Sequence, residues 1–326
     1  MAYRNLMAIG GLALFAAATL PAQNKTAWKM PRTADGHPDL QGLWNNSTRT
    51  PMERPAVFAG KPTLTDAEAK KYEQSDAAAW QQLDGTSEGP LHVGKGSEGT
   101  GAYNVLFYDM GAELARIDGV KRTSLVVDPP DGRVPPMSPQ ARGRGRAQRL
   151  SSTDDVKARP ATERCLVGSP TGPPMLPALY NNNYQIVQTP DAIMILSEMI
   201  HDVRIIRMNS QHAPPNVRNW LGDSIGHWEG DTLVVETTNF NEQPHFRGAS
   251  KDLKVTERFT REDARTLVYK ATLEDPSTWS RPWTLELPFV ATPGPIYEYA
   301  CHEGNYAIED ILGGARKMEA EGAQKK

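Results

Sequence analysis

The sequence predicts a mainly β protein in which an antiparallel meander of strands closes as a lipocalin-like barrel or folds as a sandwich. Apolar and polar residues alternate from Trp283 to Phe289, and this period of two is typical of a strand with one buried face. Short turn sequences such as Glu229-Gly230-Asp231 separate the segments that carry the alternation. Closure as a barrel would leave no exposed edge strand.

The same kind of pattern predicts further strands before and after that segment. They cover residues 123–127, 184–188, 193–200, 203–208, 232–240, 253–261, 266–273 and 297–303. Most of them fall within residues 161–306, which we therefore expect to form the β core of the protein.

Residues 24–160 are expected to form an extended arm, a helix and loops that pack on this core. Prolines recur up to residue 62 and disfavour regular elements there. Thr65 and Glu68 have the spacing of a capping box, and the Ala-, Lys-, Glu- and Gln-rich residues after them predict a helix at 65–83. A second helix is predicted near 138–150, and the chain is expected to end as a helix and tail at 307–326.

Residues 1–23 resemble a secretory signal peptide, with Arg4 before an apolar run and Ala22 near the expected cleavage point. The apolar run of about 15 residues is shorter than the roughly 20 that span a bilayer. No later segment is apolar enough to cross a membrane. The mature protein is therefore expected in the periplasm or outside the cell, with no stable membrane insertion.

Charge and cysteine content narrow the possible partners and chemistry. With 36 basic and 39 acidic residues the net charge is −3, so nucleic acid is not an expected partner. We interpret the arginines of the second predicted helix (Arg142, Arg144, Arg146 and Arg149) as a solvated face in preference to an anion site. Cys165 and Cys301 are the only cysteines, and in an oxidising compartment such a pair most simply forms a disulfide. A catalytic thiol or a metal thiolate would leave Cys165 unexplained.

Strand parity places carboxylates among apolar neighbours. Glu257 has the parity of the apolar residues of segment 253–261, and Glu198 that of Met194 and Leu196, with Asp202 continuing the count. A buried carboxylate is either paired or functional. We favour pairing or partial exposure at a barrel mouth over contact with a ligand. The possible partners are Arg204, Arg207 and Arg258.

The octapeptide 299–306 combines a cysteine, an imidazole, a carboxylate and two phenols. His302 and Glu303, with Glu257, are the candidate acid–base residues. Tyr299 and Trp228, with Glu198 and Asp202, are the candidate ligand contacts. The sequence has no H-E-x-x-H, C-x-x-C, G-x-S-x-G or phosphate-loop spacing. We therefore predict no cofactor and no metal, although a metal held by distant strands stays open.

Three segments resemble a widespread family of exported bacterial proteins of unassigned activity. They are HPDLQGLW from His37, GHWEGDTLVVETTNF from Gly226 and EYACHEGNY from Glu298. The resemblance covers nearly the whole mature chain and carries no catalytic residues. It implies one continuous architecture from the arm around Trp44 to Cys301.

These observations predict an exported β-barrel that binds a small organic or glycan ligand in a partly polar cavity. A hydrolase or lyase that uses carboxylate and histidine acid–base chemistry is the first alternative. A structural protein of the cell envelope is the second. The sequence leaves the ligand and the oligomeric state open.

Overall fold

The computed structural model describes residues 28–85, 108–168, 171–242 and 246–324. The predicted signal peptide at 1–23 lies outside the described residues. The helices within them are α1 (Asp66–Gly85), α2 (Pro139–Leu150) and α3 (Ala307–Gln324). Short 3-10 turns lie at Ala56–Phe58, Val156–Ala158 and Met199–His201. The helices predicted near 65–83 and 138–150 and at the end of the chain are therefore present.

The strands build a closed nine-strand barrel, a further strand beside it and a small three-stranded sheet. In chain order they are β1 (Gly42–Asn45), β2 (Thr63–Leu64), β3 (Arg116–Ile117), β4 (Val120–Arg122), β5 (Val126–Asp128), β6 (Asn183–Gln188), β7 (Ala192–Ser197), β8 (Val203–Met208), β9 (Asp223–Glu229), β10 (Thr232–Thr238), β11 (Lys254–Arg261), β12 (Thr266–Glu274) and β13 (Trp283–Ala291). The barrel runs from β1 to β6 and on to β13, which pairs with β1 and closes it. Strand β5 pairs with β13 and is the further strand outside the closed barrel. Strands β2, β4 and β3 form the small sheet. The predicted mainly β barrel is confirmed.

One pair of barrel strands is parallel, unlike the expected antiparallel meander. Strands β8 and β9 run in the same direction, with Ile206 opposite Ser224, because residues 209–222 return the chain to the start of β9 instead of making a hairpin. The alternation rule missed β9, since its buried positions Ser224 and Gly226 are not large and apolar. A Cβ added at Gly226 would lie 2.8 Å from the Ile206 side chain, so this contact requires glycine.

The strand predicted at 297–303 is absent, and the chain there is irregular. Strand β1 occupies the edge of β13 through Trp44 and Asn45, which leaves no place for another strand at that position. Pro293 and Pro295 also lack the backbone N–H groups that pairing would need. The last barrel strand therefore ends at Ala291.

The N-terminal arm covers the end of the barrel formed by the hairpins at 189–191, 230–231 and 262–265, here called the upper end. The Gln188 amide donates to the Pro38 carbonyl oxygen at 3.2 Å, and the Arg261 guanidinium donates to that of Asp39 at 2.5 Å. Leu40 is fully buried, and the Trp44 indole N–H donates to its carbonyl oxygen at 3.0 Å. The arm that carries the HPDLQGLW segment is thus an integral part of the barrel.

The barrel interior is a packed core. Its fully buried large side chains include Trp44, Tyr184, Phe259, Tyr269, Phe289, Leu285 and Leu287. At the opposite, lower end the segment that carries Met175 enters the core, where the Met175 N–H donates to the Tyr269 hydroxyl at 2.9 Å. Among the described residues, no helix is long and apolar enough to span a membrane.

Helix α1 begins with the capping box that the sequence predicts. The Thr65 backbone N–H donates to a Glu68 carboxylate oxygen at 2.9 Å, and the Thr65 hydroxyl accepts from the Glu68 N–H at 3.4 Å. Thr65→Ala is expected to lower the free energy of unfolding by about 1 kcal/mol, because one backbone donor loses its acceptor. Urea denaturation measures this change. Thr65→Ser, which keeps the hydroxyl, is the control, and equal losses in both variants would contradict the capping role.

Candidate functional site

Glu257 faces the barrel interior, as its parity predicts, and it is paired. Its carboxylate oxygens accept from the two terminal nitrogens of Arg204 at 2.7 and 3.0 Å, and both side chains are buried. The Tyr269 hydroxyl donates to the same carboxylate at 2.9 Å. Of the three arginines considered as partners, Arg204 is therefore the one that pairs with Glu257.

The ion pair shapes the electrostatics of the core. Burial opposes the positive charge of Arg204, but the neighbouring Glu257 carboxylate more than offsets this and raises the pKa of Arg204. Burial and the Glu257 carboxylate together raise the pKa of Tyr269. Arg204 is therefore charged and the Tyr269 phenol neutral at physiological pH, and both donate hydrogen bonds to the Glu257 carboxylate.

Glu198 and Asp202 lie beyond the end of β7, at the lower end of the barrel. Strand β7 ends at Ser197, and the positive φ angle of Ile200, 58°, turns the chain, so the parity count does not extend to Glu198. The Glu198 carboxylate accepts from the side-chain amides of Asn181 and Asn183 and from the Tyr297 N–H at 3.4 Å. Glu198 thereby ties the C-terminal segment to the barrel.

Asp202 ties a second segment to the same end. Its carboxylate accepts from the Gly168 N–H and the Thr171 hydroxyl, both at 3.0 Å. Burial raises the pKa of Asp202 despite these hydrogen bonds. Both carboxylates therefore accept hydrogen bonds from loops that pack against the barrel.

Trp228 lies at the upper end of the barrel, on β9. Its indole ring stacks on the His37 imidazole of the arm, with ring centroids 4.9 Å apart and planes 6° from parallel. Arg32 of the arm forms an ion pair with Asp231, in the next turn, at 2.9 Å. The N-terminal arm therefore covers the face of the Trp228 ring that stacks on His37.

The octapeptide contributes a disulfide and exposed polar side chains. Cys301 is bonded to Cys165, with Cα atoms 5.8 Å apart, as predicted. His302 and Glu303 are exposed. Tyr299 lies beside Tyr180, where burial and the neighbouring Tyr299 hydroxyl raise the pKa of Tyr180.

The structure does not bring the sequence-predicted site residues together. Glu257 is inside the barrel, Glu198 and Asp202 anchor loops at its lower end, and Trp228 stacks at its upper end. His302 and Glu303 are on the surface. The described residues include no group of three or more His, Cys, Asp or Glu side chains that could hold a metal ion.

A cleft beside α2 brings together residues that the sequence did not connect. The cleft is open to solvent, has a volume of about 670 Å³ and is lined by Arg142, Arg149, Arg159 and Arg247, with no carboxylate among its lining residues. Glu163 pairs with Arg159, and Glu53 pairs with Arg247 at 3.2 Å. Arg142 and Arg149 form no ion pair within the described part of the chain. We call this cavity the arginine cleft.

The position of α2 is set by hydrogen bonds to a loop that follows β12. Ser138 caps the helix by accepting from the Ala141 N–H at 3.0 Å and donates to the Ser277 carbonyl oxygen at 2.8 Å. The Arg144 guanidinium donates to the Thr278 hydroxyl at 2.8 Å. Asp275 lies in the same loop. Burial alone would raise its pKa, but hydrogen bonds from Ser250, Thr278 and Ser277 lower the pKa below its usual value. The helix that carries the arginines is therefore anchored by hydrogen bonds to the loop after β12.

Two other clefts carry both signs of charge. The cleft between β13 and residues 111–119 encloses about 630 Å³ and is lined by Glu113, Glu262 and Arg265 among others. The cleft between α1 and residues 176–179 encloses about 550 Å³ and contains the Arg49–Asp76 ion pair. The arginine cleft differs from both because its lining is positively charged without a carboxylate.

One signal for the arginine cleft was present in the sequence. Residues 139–150 contain four arginines and no acidic residue, but the pattern alone does not reveal whether such a helix faces bulk water or a cavity. Residues 158–160 and 247–248, which complete the cleft, are distant in sequence and gave no signal.

Searches against protein-family models, curated proteins and solved structures found no match for this chain.

Proposed function

We propose that this protein is an exported binding protein for a negatively charged small organic or glycan ligand, which it holds in the arginine cleft. The observation that carries the proposal is that Arg142 and Arg149 line a cavity of about 670 Å³ without an ion pair among the described residues. A guanidinium offers paired N–H donors that match the two oxygens of a carboxylate or phosphate. Arg142 and Arg149 are exposed, so such a ligand would bind by replacing the water that solvates their guanidinium groups.

The remaining lining favours an organic ligand over a bare inorganic ion. Met137, Ala141, Ala158 and Pro160 provide apolar surface, and Gln148 and Ser152 provide hydrogen-bonding groups. The volume falls within the roughly 300–1,000 Å³ of small-molecule sites, which combine apolar surface with a few polar anchors. A sugar acid or an aromatic carboxylate has this combination of body and charge.

Export and membership of the family of exported bacterial proteins are part of the proposal. The disulfide between Cys165 and Cys301 is typical of proteins from oxidising compartments, in keeping with a periplasmic or secreted location. The net charge of −3 gives no general attraction for nucleic acid.

The test compares anions with uncharged counterparts by isothermal titration calorimetry. Glucuronate and benzoate are expected to bind, whereas glucose and benzyl alcohol are not. The double variant Arg142→Ala/Arg149→Ala is expected to weaken anion binding by at least about tenfold, because the loss of even one charge-assisted hydrogen bond costs about 1.5–3 kcal/mol. Added salt should weaken binding to the unaltered protein.

Arg146→Ala is the matched control. Arg146 is an exposed arginine of the same helix and does not line the arginine cleft, so its removal is expected to leave the affinity nearly unchanged. Absence of binding for both anions would refute the proposal. Equal losses for Arg146→Ala and the double variant would show that only the general charge of α2 matters.

A further inference from the structure

A second cleft adjoins the arginine cleft along α2. It encloses about 580 Å³ and is lined by Arg144, Lys157 and Lys251 together with Glu242 and Asp252. Lys251 lies 3.8 Å from Glu242, so part of this charge is balanced within the cleft. The second cleft is therefore polar and mixed in charge, whereas the arginine cleft is positive.

The two clefts share part of their lining. Gly145, Gln148, Ala158 and Gly248 contribute to both. Gly145 lies on α2 between the arginines of the two clefts, and a Cβ built there would meet only the Arg149 guanidinium, at 3.9 Å. No side chain at position 145 therefore separates the two cavities. Each cleft alone has the size of a small-molecule site, so a ligand that occupies both must be longer than one that fills either.

We infer that the two clefts form one groove over Gly145 that binds an extended acidic oligosaccharide, with its first acidic sugar in the arginine cleft. This inference rests on the proposed function and names its ligand class. The carboxylate groups that recur along the ligand would face the arginines of the first cleft and then Arg144 and Lys157 of the second, away from Lys251, which lies beside Glu242. Gln140, Gln148, Ser151 and Ser277 supply hydrogen-bonding groups for sugar hydroxyls.

The lining also argues against a neutral glycan. Neither cleft has an aromatic residue among its lining residues, so neither offers the stacking surface on which an uncharged sugar ring packs. Charge and hydrogen bonds must then provide the binding free energy. A polymer of uronic acids offers both at every unit, with a spacing that repeats along the chain.

The test uses galacturonic acid and its trimer and hexamer as probes, with maltohexaose as the uncharged hexamer. The hexamer is expected to bind roughly 10- to 100-fold more tightly than the monomer, because the second contact is intramolecular once the first is made. Gly145→Leu is expected to abolish this gain. Because Gly145 also lines the arginine cleft, the quantity compared is the ratio of hexamer to monomer affinity, which should fall to about one in this variant. Calorimetry measures all affinities, and circular dichroism verifies that the variant retains its fold.

Gly143→Leu is the matched control for the substitution. Gly143 lies on the same helix, lines neither cleft and has open space around an added Cβ, so the leucine changes helix propensity without entering the groove. The hexamer should retain its affinity for this variant. A similar loss in both variants would overturn the continuous groove.

The remaining outcomes separate the two proposals. If galacturonic acid binds but the hexamer binds no more tightly, the groove is refuted and the anion-binding function stands. If neither galacturonic acid nor its hexamer binds, the oligosaccharide is refuted as the ligand, and the anion-binding function is refuted with it only when glucuronate and benzoate also fail to bind. Binding of hexaglutamate as tight as that of the acidic hexamer would refute an oligosaccharide as the ligand class, and tight binding of maltohexaose would refute the role of charge.

Discussion

Glu257→Gln is expected to lower the free energy of unfolding by about 3–5 kcal/mol, because it leaves the buried Arg204 guanidinium without a counter-charge. The side chains of Glu257 and Arg204 are 0% and 6% exposed, so water cannot replace the lost partner. Glutamine has nearly the same shape as glutamate, and therefore the effect isolates charge from packing. Urea unfolding followed by tryptophan fluorescence measures the change.

A double-mutant cycle supplies the control. Arg204→Met removes the guanidinium and retains an unbranched apolar stem, and it should be strongly destabilising alone because the Glu257 carboxylate then lacks its cation. In the double variant Arg204→Met/Glu257→Gln neither charge of the pair remains, and the glutamine oxygen can still accept from Tyr269. The double variant should therefore be more stable than the sum of the single losses implies. Additive losses would contradict a coupled ion pair.

Sequence periodicity was sufficient to predict most of the barrel. Along β12, alternate side chains from Leu267 to Leu273 are fully buried, and the residues between them are only half-buried, so burial and alternation agree. The same rule placed Glu257 inside. The rule failed at β9, where the close approach of Ile206 requires Gly226. A rule based on apolar side chains cannot detect a buried position that must lack a side chain.

The candidate site was less accessible to prediction. Local sequence identified Glu198 as a residue of interest but could not show that Asn181 and Asn183 satisfy its carboxylate. The four arginines of α2 were visible, yet their significance depends on what faces them. Arg247 lines the arginine cleft although it lies about one hundred residues from α2 in the sequence. This separation is comparable to the length of a small domain. Such long-range placement follows from tertiary packing, which a single sequence does not specify.

Loss of the disulfide is expected to lower the free energy of unfolding by about 3–5 kcal/mol, since Cys165 and Cys301 close a long loop in the unfolded chain. Their separation of 136 residues encloses most of the barrel, so the bond restricts the unfolded state of nearly the whole core. The double variant Cys165→Ser/Cys301→Ser measures the effect by guanidinium denaturation. The oxidised and reduced forms of the unaltered protein should differ by a similar amount, and equal midpoints for all three would contradict a stabilising bond.

The same variant can distinguish stabilisation of the core from attachment of the C-terminal segment. Beyond the disulfide, this segment is held by single contacts such as Asn305 to the Glu163 carbonyl oxygen at 3.2 Å and Arg316 to that of Thr153 at 2.8 Å. These contacts are exposed and individually weak, so without the disulfide α3 should detach before the barrel unfolds. Limited proteolysis of the double variant is then expected to cut within 292–306 under conditions that leave the barrel intact. Protection of that segment, together with a lowered denaturation midpoint, would assign the effect of the disulfide to the unfolded chain alone.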